Sequence, residues 1–282
     1  MPELPEVETT RRGLLPLVGH VVESVTIRHP RLRWPIPSHL PQTLPAMTLN
    51  GLRRRAKYLL CDFSGESAAG ILLLHLGMSG RIQLLDDAYP AEKHDHFDVA
   101  FVGGHVLRLR DPRRFGAVLW LEGAEADHPL LASLGPEPLE DGFHAKYLRQ
   151  ALANKSLAIK NAIMDGHVVV GVGNIYASES LFRSRIHPET PANSLSLKQC
   201  EKLVAEIKLT LNEALHAGGS SLRDFFGTNG LPGYFQQSYF VYARTDEPCL
   251  VCGRPIKTMR LVNARPFSVP TAKKPASKLV SY

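Results

Sequence analysis

Apolar residues recur at helical spacing near the start of the chain, where Val7, Leu14, Leu15 and Val18 make one stripe. Pro5 suits a first helical turn, and Glu6 and Glu8 complement the positive end of the helix dipole, so a helix entered through prolines is predicted over 1–20. From about 21 to 125 the period shortens. VVESVTI, YLLCDF, GILLLHLGMSG, FDVAFV, HVLRLR and AVLWL read as short strands divided by turns, the text of an antiparallel sandwich or barrel. LGPEPLEDGF, rich in Pro, Gly and acidic residues, predicts a linker and a domain boundary near 135–145. Helical spacing then returns in HAKYLRQALAN, SLAIKNAIMDG, NIYASESLFRSR and SLKQCEKLVAEIKLTLNEALHAG. FGTNGLPGYF reads as a Gly/Pro loop, and the tail becomes β-like around two cysteines. There is no internal repeat. The expectation is an α+β protein with domains over 1–135 and 136–236 and a small tail over 237–282.

Composition narrows the function classes. With 44% hydrophobic residues among 282, there is material for real cores. No apolar run approaches the roughly 20 residues of a membrane span. The acidic, proline-bearing start is unlike a signal peptide, and four cysteines without a disulfide framework fit a reducing cytoplasm. A net charge of +6 and a pI near 9.2 favour a polyanionic partner.

The first residues carry chemistry. If Met1 is removed, Pro2 presents a secondary amine at the chain end. An α-amine ordinarily titrates at roughly 7.7–8.0, so part of it is an unprotonated nucleophile near neutral pH. Such an amine attacks a sugar C1′ to give an iminium, which acidifies the neighbouring C2′ proton, and Glu3 would serve as acid or base. Taken alone, MPELPEVETT reads more readily as the frayed start of a helix.

Its company reverses that balance. PELPEVE at the N-terminus, RRRAKYLL at 53–60, HLGMSGRI at 75–82, KHDHFD at 93–98, DPRRFG at 111–116 and VGVGNIYASESLF at 170–182 occur in one order. Together they resemble the formamidopyrimidine-DNA glycosylase family of bacterial base-excision repair, and the likeness runs from residue 1 to about 260. Leu4 favours this branch over the endonuclease VIII branch. The resemblance implies an N-terminal antiparallel β-sandwich flanked by helices, then a helical helix–two-turn–helix DNA-binding domain and a zinc-finger hairpin.

It also implies roles. Pro2 is the nucleophile that displaces the oxidised base and leaves a Schiff base on C1′, Glu3 is its acid/base partner, and Glu6 orients the sugar. Lys57 donates a proton in β-elimination, and three neighbouring arginines disfavour its ammonium form by like charge. His94, Arg113 and Lys155 match DNA-binding positions, and Asn174 stands where a helix start holds a phosphate. Met78, Arg113 and Phe115 form a wedge that fills the stack when a base is flipped out. GGSSLRDFFGTNGLPGYF resembles the loop that closes over that base.

The implied activity is a bifunctional DNA glycosylase and apurinic/apyrimidinic lyase. It removes formamidopyrimidines and 8-oxoguanine from double-stranded DNA, and cuts at abasic sites by β- and δ-elimination. The implied setting is a monomer in the bacterial cytoplasm, associated with the nucleoid when bound to DNA and with no membrane. Other readings stand beside this one: an endonuclease VIII-like enzyme for oxidised pyrimidines, a damage-binding protein with impaired catalysis, and more remotely a zinc-ribbon RNA binder. Residue by residue, RRRAK also reads as a solvated basic turn, Met78 and Phe115 as core, and the DHxD pattern as metal ligands.

The tail departs from the family pattern of two cysteine pairs around one zinc ion. Cys249 and Cys252 supply the first pair, but no Cys or His follows Cys252, and a closed site needs four ligands. A one-base reading-frame error explains the departure. Restoring one G after the Leu261 codon turns LVNA into LGQR, and RPFSVPTAKK has codon choices compatible with STFFCPNCQK. The family's arginine of δ-elimination is lost with that segment. Arg265 is the nearest substitute and falls one residue late. The chain as written is expected to bind zinc poorly or not at all, with DNA affinity and turnover impaired.

Overall fold

The computed structural model describes residues 2–66, 68–86, 89–219 and 239–258, and the backbone of a short strand at Phe267–Ser268. The chain divides into two compact units. One holds the chain up to Ser133 and is rejoined from Leu215; the other begins at Leu134 and resumes at Gln237.

The first unit opens with helix α1 (Leu4–Leu14), which has Pro5 in its first turn. The Glu3 side chain takes the Glu6 backbone N–H while the Glu6 carboxylate takes the Glu3 N–H, a reciprocal cap. The helix is shorter than its apolar pattern predicts. Pro16 cannot continue it, so a 3-10 turn follows at Leu15–Leu17. Leu4, Val7, Leu14 and Leu17 are buried, whereas Leu15 and Val18 face outward.

A short helix α2 (Leu40–Thr43) and eight strands complete the unit. β2 (Thr48–Arg55), β3 (Tyr58–Ser64), β4 (Ala69–His75) and β8 (Ala117–Leu121) form one antiparallel sheet in the order β2-β3-β4-β8. β1 (Val22–Ile27), β6 (Asp95–Phe101), β7 (His105–Arg110) and β5 (Arg81–Asp86) form the other, in the order β1-β6-β7-β5. Leu49, Cys61, Phe63, Leu72 and Leu74 of the first sheet share one core with Val25, Phe97, Val99, Phe101, Leu107 and Leu109 of the second. Burial of each such side chain contributes about 1.5–3 kcal/mol. β2 and β5 carry charged text and were not predicted as strands; each is held by its hairpin or sheet partner, Arg54↔Leu59 and Ile82↔Leu109 for example.

The second unit is helical: α3 (Ala145–Leu152), α4 (Ile159–Met164), α5 (Asn174–Ser184) and α6 (Leu197–His216). His144 caps α3 by accepting the Tyr147 N–H, and α5 ends on left-handed Arg185. The segment predicted as a linker is packed: Gly135 N–H donates to Gly166 O, Val170 N–H donates to Pro136 O, and Phe143 is fully buried. Residues 239–258 fold against α5 through Phe182, Val241, Cys249 and Ile256. The fully buried Glu179 carboxylate accepts the backbone N–H groups of Phe240, Val241 and Tyr242 at 2.8–3.0 Å. A two-residue ladder pairs β9 (Lys257–Thr258) with β10 (Phe267–Ser268).

Candidate active site

In the first unit Pro2, Glu3 and Glu6 are buried together at the start of α1. The Glu3 N–H to Glu6 Oε2 bond is 2.8 Å, so the residue after Pro2 is fixed by the helix cap. Lys57 sits half-buried in the two-residue turn between β2 and β3, closed by the pair Arg55↔Tyr58. Its neighbour Ala56 is left-handed at φ 56, an unfavourable state for a residue with a Cβ. The three arginines before it are not a solvated turn. Arg53, Arg54 and Arg55 end β2, where Arg53 grips Asp62 and Glu125, and Arg54 donates to Ala56 O and lies 3.5 Å from Glu8.

His75 was not among the expected site residues. Burial, with Lys57 and Arg33 as the next causes, pushes its imidazole down to about 4. The ring is therefore neutral near pH 7. Its Nδ1 accepts the Gly77 N–H at 3.2 Å, which leaves Nε2–H as the donor of the ring. A histidine inside the apolar run GILLLHL, two residues before a turn glycine, was the available signal.

Met78 projects from the turn 76–80 and is 42% exposed, while Phe115 projects from the turn 111–116 and is 45% exposed. Arg113 lies over the Phe115 ring, 4.8 Å from its centroid. These are surface side chains, not core. His94 is half-exposed and left-handed at φ 83, and its carbonyl accepts the Asp111 N–H at 3.0 Å. The acidic residues around it are engaged by arginines. Burial alone would raise the Asp98 carboxyl, yet hydrogen bonds from Arg28 and Arg108 hold it below the usual range. Asp95 lies 3.8 Å from both Arg108 and Arg110. No group of three or more His, Cys, Asp or Glu among the described residues could hold a metal.

The second unit carries the other expected contacts. Lys155 is half-buried with its Nζ 3.5 Å from Asp165. Asn174 opens α5 after Gly173, which offers no side-chain cap. The fully buried Lys160, also unanticipated, donates to Asn174 Oδ1 at 2.6 Å and to Ser178 Oγ at 2.8 Å. A lysine only donates, so it fixes the amide with its oxygen inward and leaves Nδ2 as the free donor.

Cys249 and Cys252 form the knuckle predicted for one half of a zinc site. Gly253, at φ 71, donates to Cys249 O, and Val251 N–H donates to Cys249 Sγ at 3.4 Å. Cys249 is buried and Cys252 exposed. Two thiols do not fit a closed tetrahedral zinc, and the sequence supplies no third Cys or His beyond them. Arg265 and most of the GGSSLRDFFGTNGLPGYF loop lie outside the described residues.

Residues 1–118 match the family model of the formamidopyrimidine-DNA glycosylase N-terminal domain, and residues 134–226 match that of the formamidopyrimidine-DNA glycosylase H2TH domain. The chain belongs to the formamidopyrimidine-DNA glycosylase family. A formamidopyrimidine-DNA glycosylase from Methylobacillus flagellatus is 60% identical over 274 residues, covering 97% of this chain and 96% of the relative. One from Thiobacillus denitrificans is 53% identical, covering 97% of this chain and all of the relative. Among solved structures, the MutM (Fpg) protein of Thermus thermophilus is 35% identical with a TM-score of 0.85, covering 96% of this chain and 98% of that one. A Lactococcus lactis Fpg variant in complex with Fapy-dG-containing DNA is 32% identical with a TM-score of 0.89, covering 97% of this chain and all of that one. The α+β fold read from the sequence agrees with these formamidopyrimidine-DNA glycosylase structures.

Proposed function

We propose that this formamidopyrimidine-DNA glycosylase excises oxidised purines from DNA through Pro2 and then cuts the abasic strand as a lyase. One observation carries the mechanism: Glu3 and Glu6 cap each other, so a buried carboxylate pair is fixed at the residue that follows Pro2. The Pro2 nitrogen attacks C1′ and the C1′–N bond to the base breaks, with a proton delivered to the departing base; the C1′–O4′ bond then opens, O4′ takes a proton, and an iminium is left at C1′. The iminium acidifies the C2′ proton. Its removal breaks the C3′–O bond by β-elimination, and water then releases the amine. Glu3 handles protons at the sugar, Glu6 orients it, and Lys57 is the proton donor of the elimination step.

DNA-facing roles fall to His94 and Arg113 in the first unit and to Lys155 and Asn174 in the second. The fixed Asn174 amide at the start of α5 suits a phosphate oxygen. Met78, Arg113 and Phe115 are the wedge. Zinc is a family feature that this chain's residues do not complete, so no step is assigned to it or to Arg265. The expected metal content is well below one zinc per chain; one zinc per chain by elemental analysis would contradict this. The coding DNA around RLVNAR tests the reading-frame explanation, which fails if the shifted frame cannot encode the two missing cysteines. The proposed state is a cytoplasmic monomer acting on duplex DNA.

A panel of duplexes tests the substrate class under single-turnover conditions. Oxidised purines are expected to be released faster than oxidised pyrimidines. The reverse order would favour the endonuclease VIII-like reading, and release of neither would favour a damage binder.

A further inference from the structure

Two chain crossings lie side by side at one end of the sandwich. Residues 76–80 lead from β4 to β5, and 111–116 lead from β7 to β8. Because β4 pairs with β8 in one sheet and β5 with β7 in the other, the topology sets these crossings against each other. The approach is backbone to backbone. A Cβ on Gly77 would lie 2.4 Å from the Phe115 carbonyl carbon, and one on Gly116 would lie 2.6 Å from His75 O.

Asp111 ties the crossings together and is fully buried. One carboxylate oxygen accepts the Ser79 hydroxyl at 2.8 Å, and the other accepts the Gly116 N–H at 2.8 Å. Ser79 Oγ in turn accepts the Arg113 N–H at 3.2 Å. The Asp111 carbonyl accepts His96 Nε2–H at 3.0 Å, and its own N–H reaches His94 O. A buried carboxylate met by neutral donors is costly unless each acceptor is used, so the cluster holds one geometry firmly. Met78, Arg113 and Phe115 stand out from this base into solvent.

We propose that Asp111 is a positioning residue for base extrusion, joining the Met78 turn and the Arg113–Phe115 turn into one rigid body so that the three side chains enter the duplex together. This rests on the wedge reading of those residues. A flexible pair of turns would order each side chain separately on entry, at an entropic cost that a pre-joined wedge avoids.

The test compares the wild type, Asp111→Asn, Ser79→Ala, Met78→Ala/Phe115→Ala and the triple variant that adds Asp111→Asn. The probe is a duplex with 2-aminopurine beside the base opposite an 8-oxoguanine. The asparagine keeps the shape of the side chain but loses the charge on the acceptor; with its Oδ1 kept on the Gly116 N–H, its Nδ2 faces Ser79 Oγ, whose hydroxyl must turn its proton away from residue 111. Expected is a slowing of the fluorescence step and of single-turnover excision by about tenfold or more in Asp111→Asn and Ser79→Ala. Strand cleavage at a preformed abasic site in single-stranded DNA, which needs no extrusion, stays within about twofold on the same scale. Asp111→Asn adds nothing further to Met78→Ala/Phe115→Ala. If Asp111→Asn does not fold, Ser79→Ala, which removes one hydroxyl, decides. A wild-type fluorescence step in the single variants, an equal loss on single-stranded abasic DNA, or a full additional loss in the triple variant overturns the proposal. If Met78→Ala/Phe115→Ala itself extrudes the base normally, the wedge reading fails first.

Discussion

His75 shows what a single side chain contributes to both fold and site. An unfolded chain binds a proton on histidine at the ordinary value of 6.5, while the buried ring resists protonation until about pH 4. Between those values the unfolded state holds more protons, so stability is full above about 6.5 and falls as the pH drops towards 4. The loss amounts to about 3 kcal/mol at most. Urea midpoints measured from pH 7 to 4 should fall more steeply for the wild type than for His75→Asn, and parallel curves would contradict the assignment. Lys160 makes the same point in the second unit. A buried charge that holds Asn174 Oδ1 cannot be recognised in SLAIKNAIMDG, because its partners lie 14 and 18 residues further on.

At the scale of elements, Glu179 joins α5 to the segment that follows Tyr239. It lies on α5 and accepts three N–H groups from residues 240–242, beside the small core of Phe182, Val241, Cys249 and Ile256. Residues 240–242 are thus held by a carboxylate and apolar packing. Glu179→Ala would strand one buried and two part-buried donors, at a cost of roughly 2–4 kcal/mol. Hydrogen exchange at the amides of 240–242 should accelerate in this variant and stay unchanged when the wild type is treated with a chelator. Acceleration by the chelator alone would show that a metal holds the segment.

Elements also mark how far the sequence could be read. Apolar runs such as GILLLHL and HVLRLR declared their strands because both sheet faces are packed there. TLNGLRRR and RIQLLD did not, since their charges are neutralised by residues distant in the chain, Asp62 and Glu125 for Arg53. The first helix was drawn too long because Leu15 and Val18 fit its apolar stripe, although Pro16 ends it. LGPEPLEDGF looked like a linker because its composition hides the Gly135 and Pro136 backbone bonds. Motifs placed Met78, Arg113 and Phe115 on turn tips, and the structure brings those tips together. His75, Lys160 and Asp111 were invisible because a buried polar residue acquires its meaning only from the neighbours that fold around it.

For the whole molecule, a net charge of +6 and DNA contacts proposed on both units imply salt-sensitive binding to duplex DNA. The chemistry turns on one atom, the Pro2 nitrogen. The most direct measurement is borohydride reduction during turnover of an oxidised-purine duplex, followed by mass analysis of the cross-linked peptide. The expected result is a trapped protein–DNA complex whose sugar adduct lies on Pro2 of a chain lacking Met1. A chain that binds the duplex and is never trapped, or an adduct on a lysine instead, would contradict it.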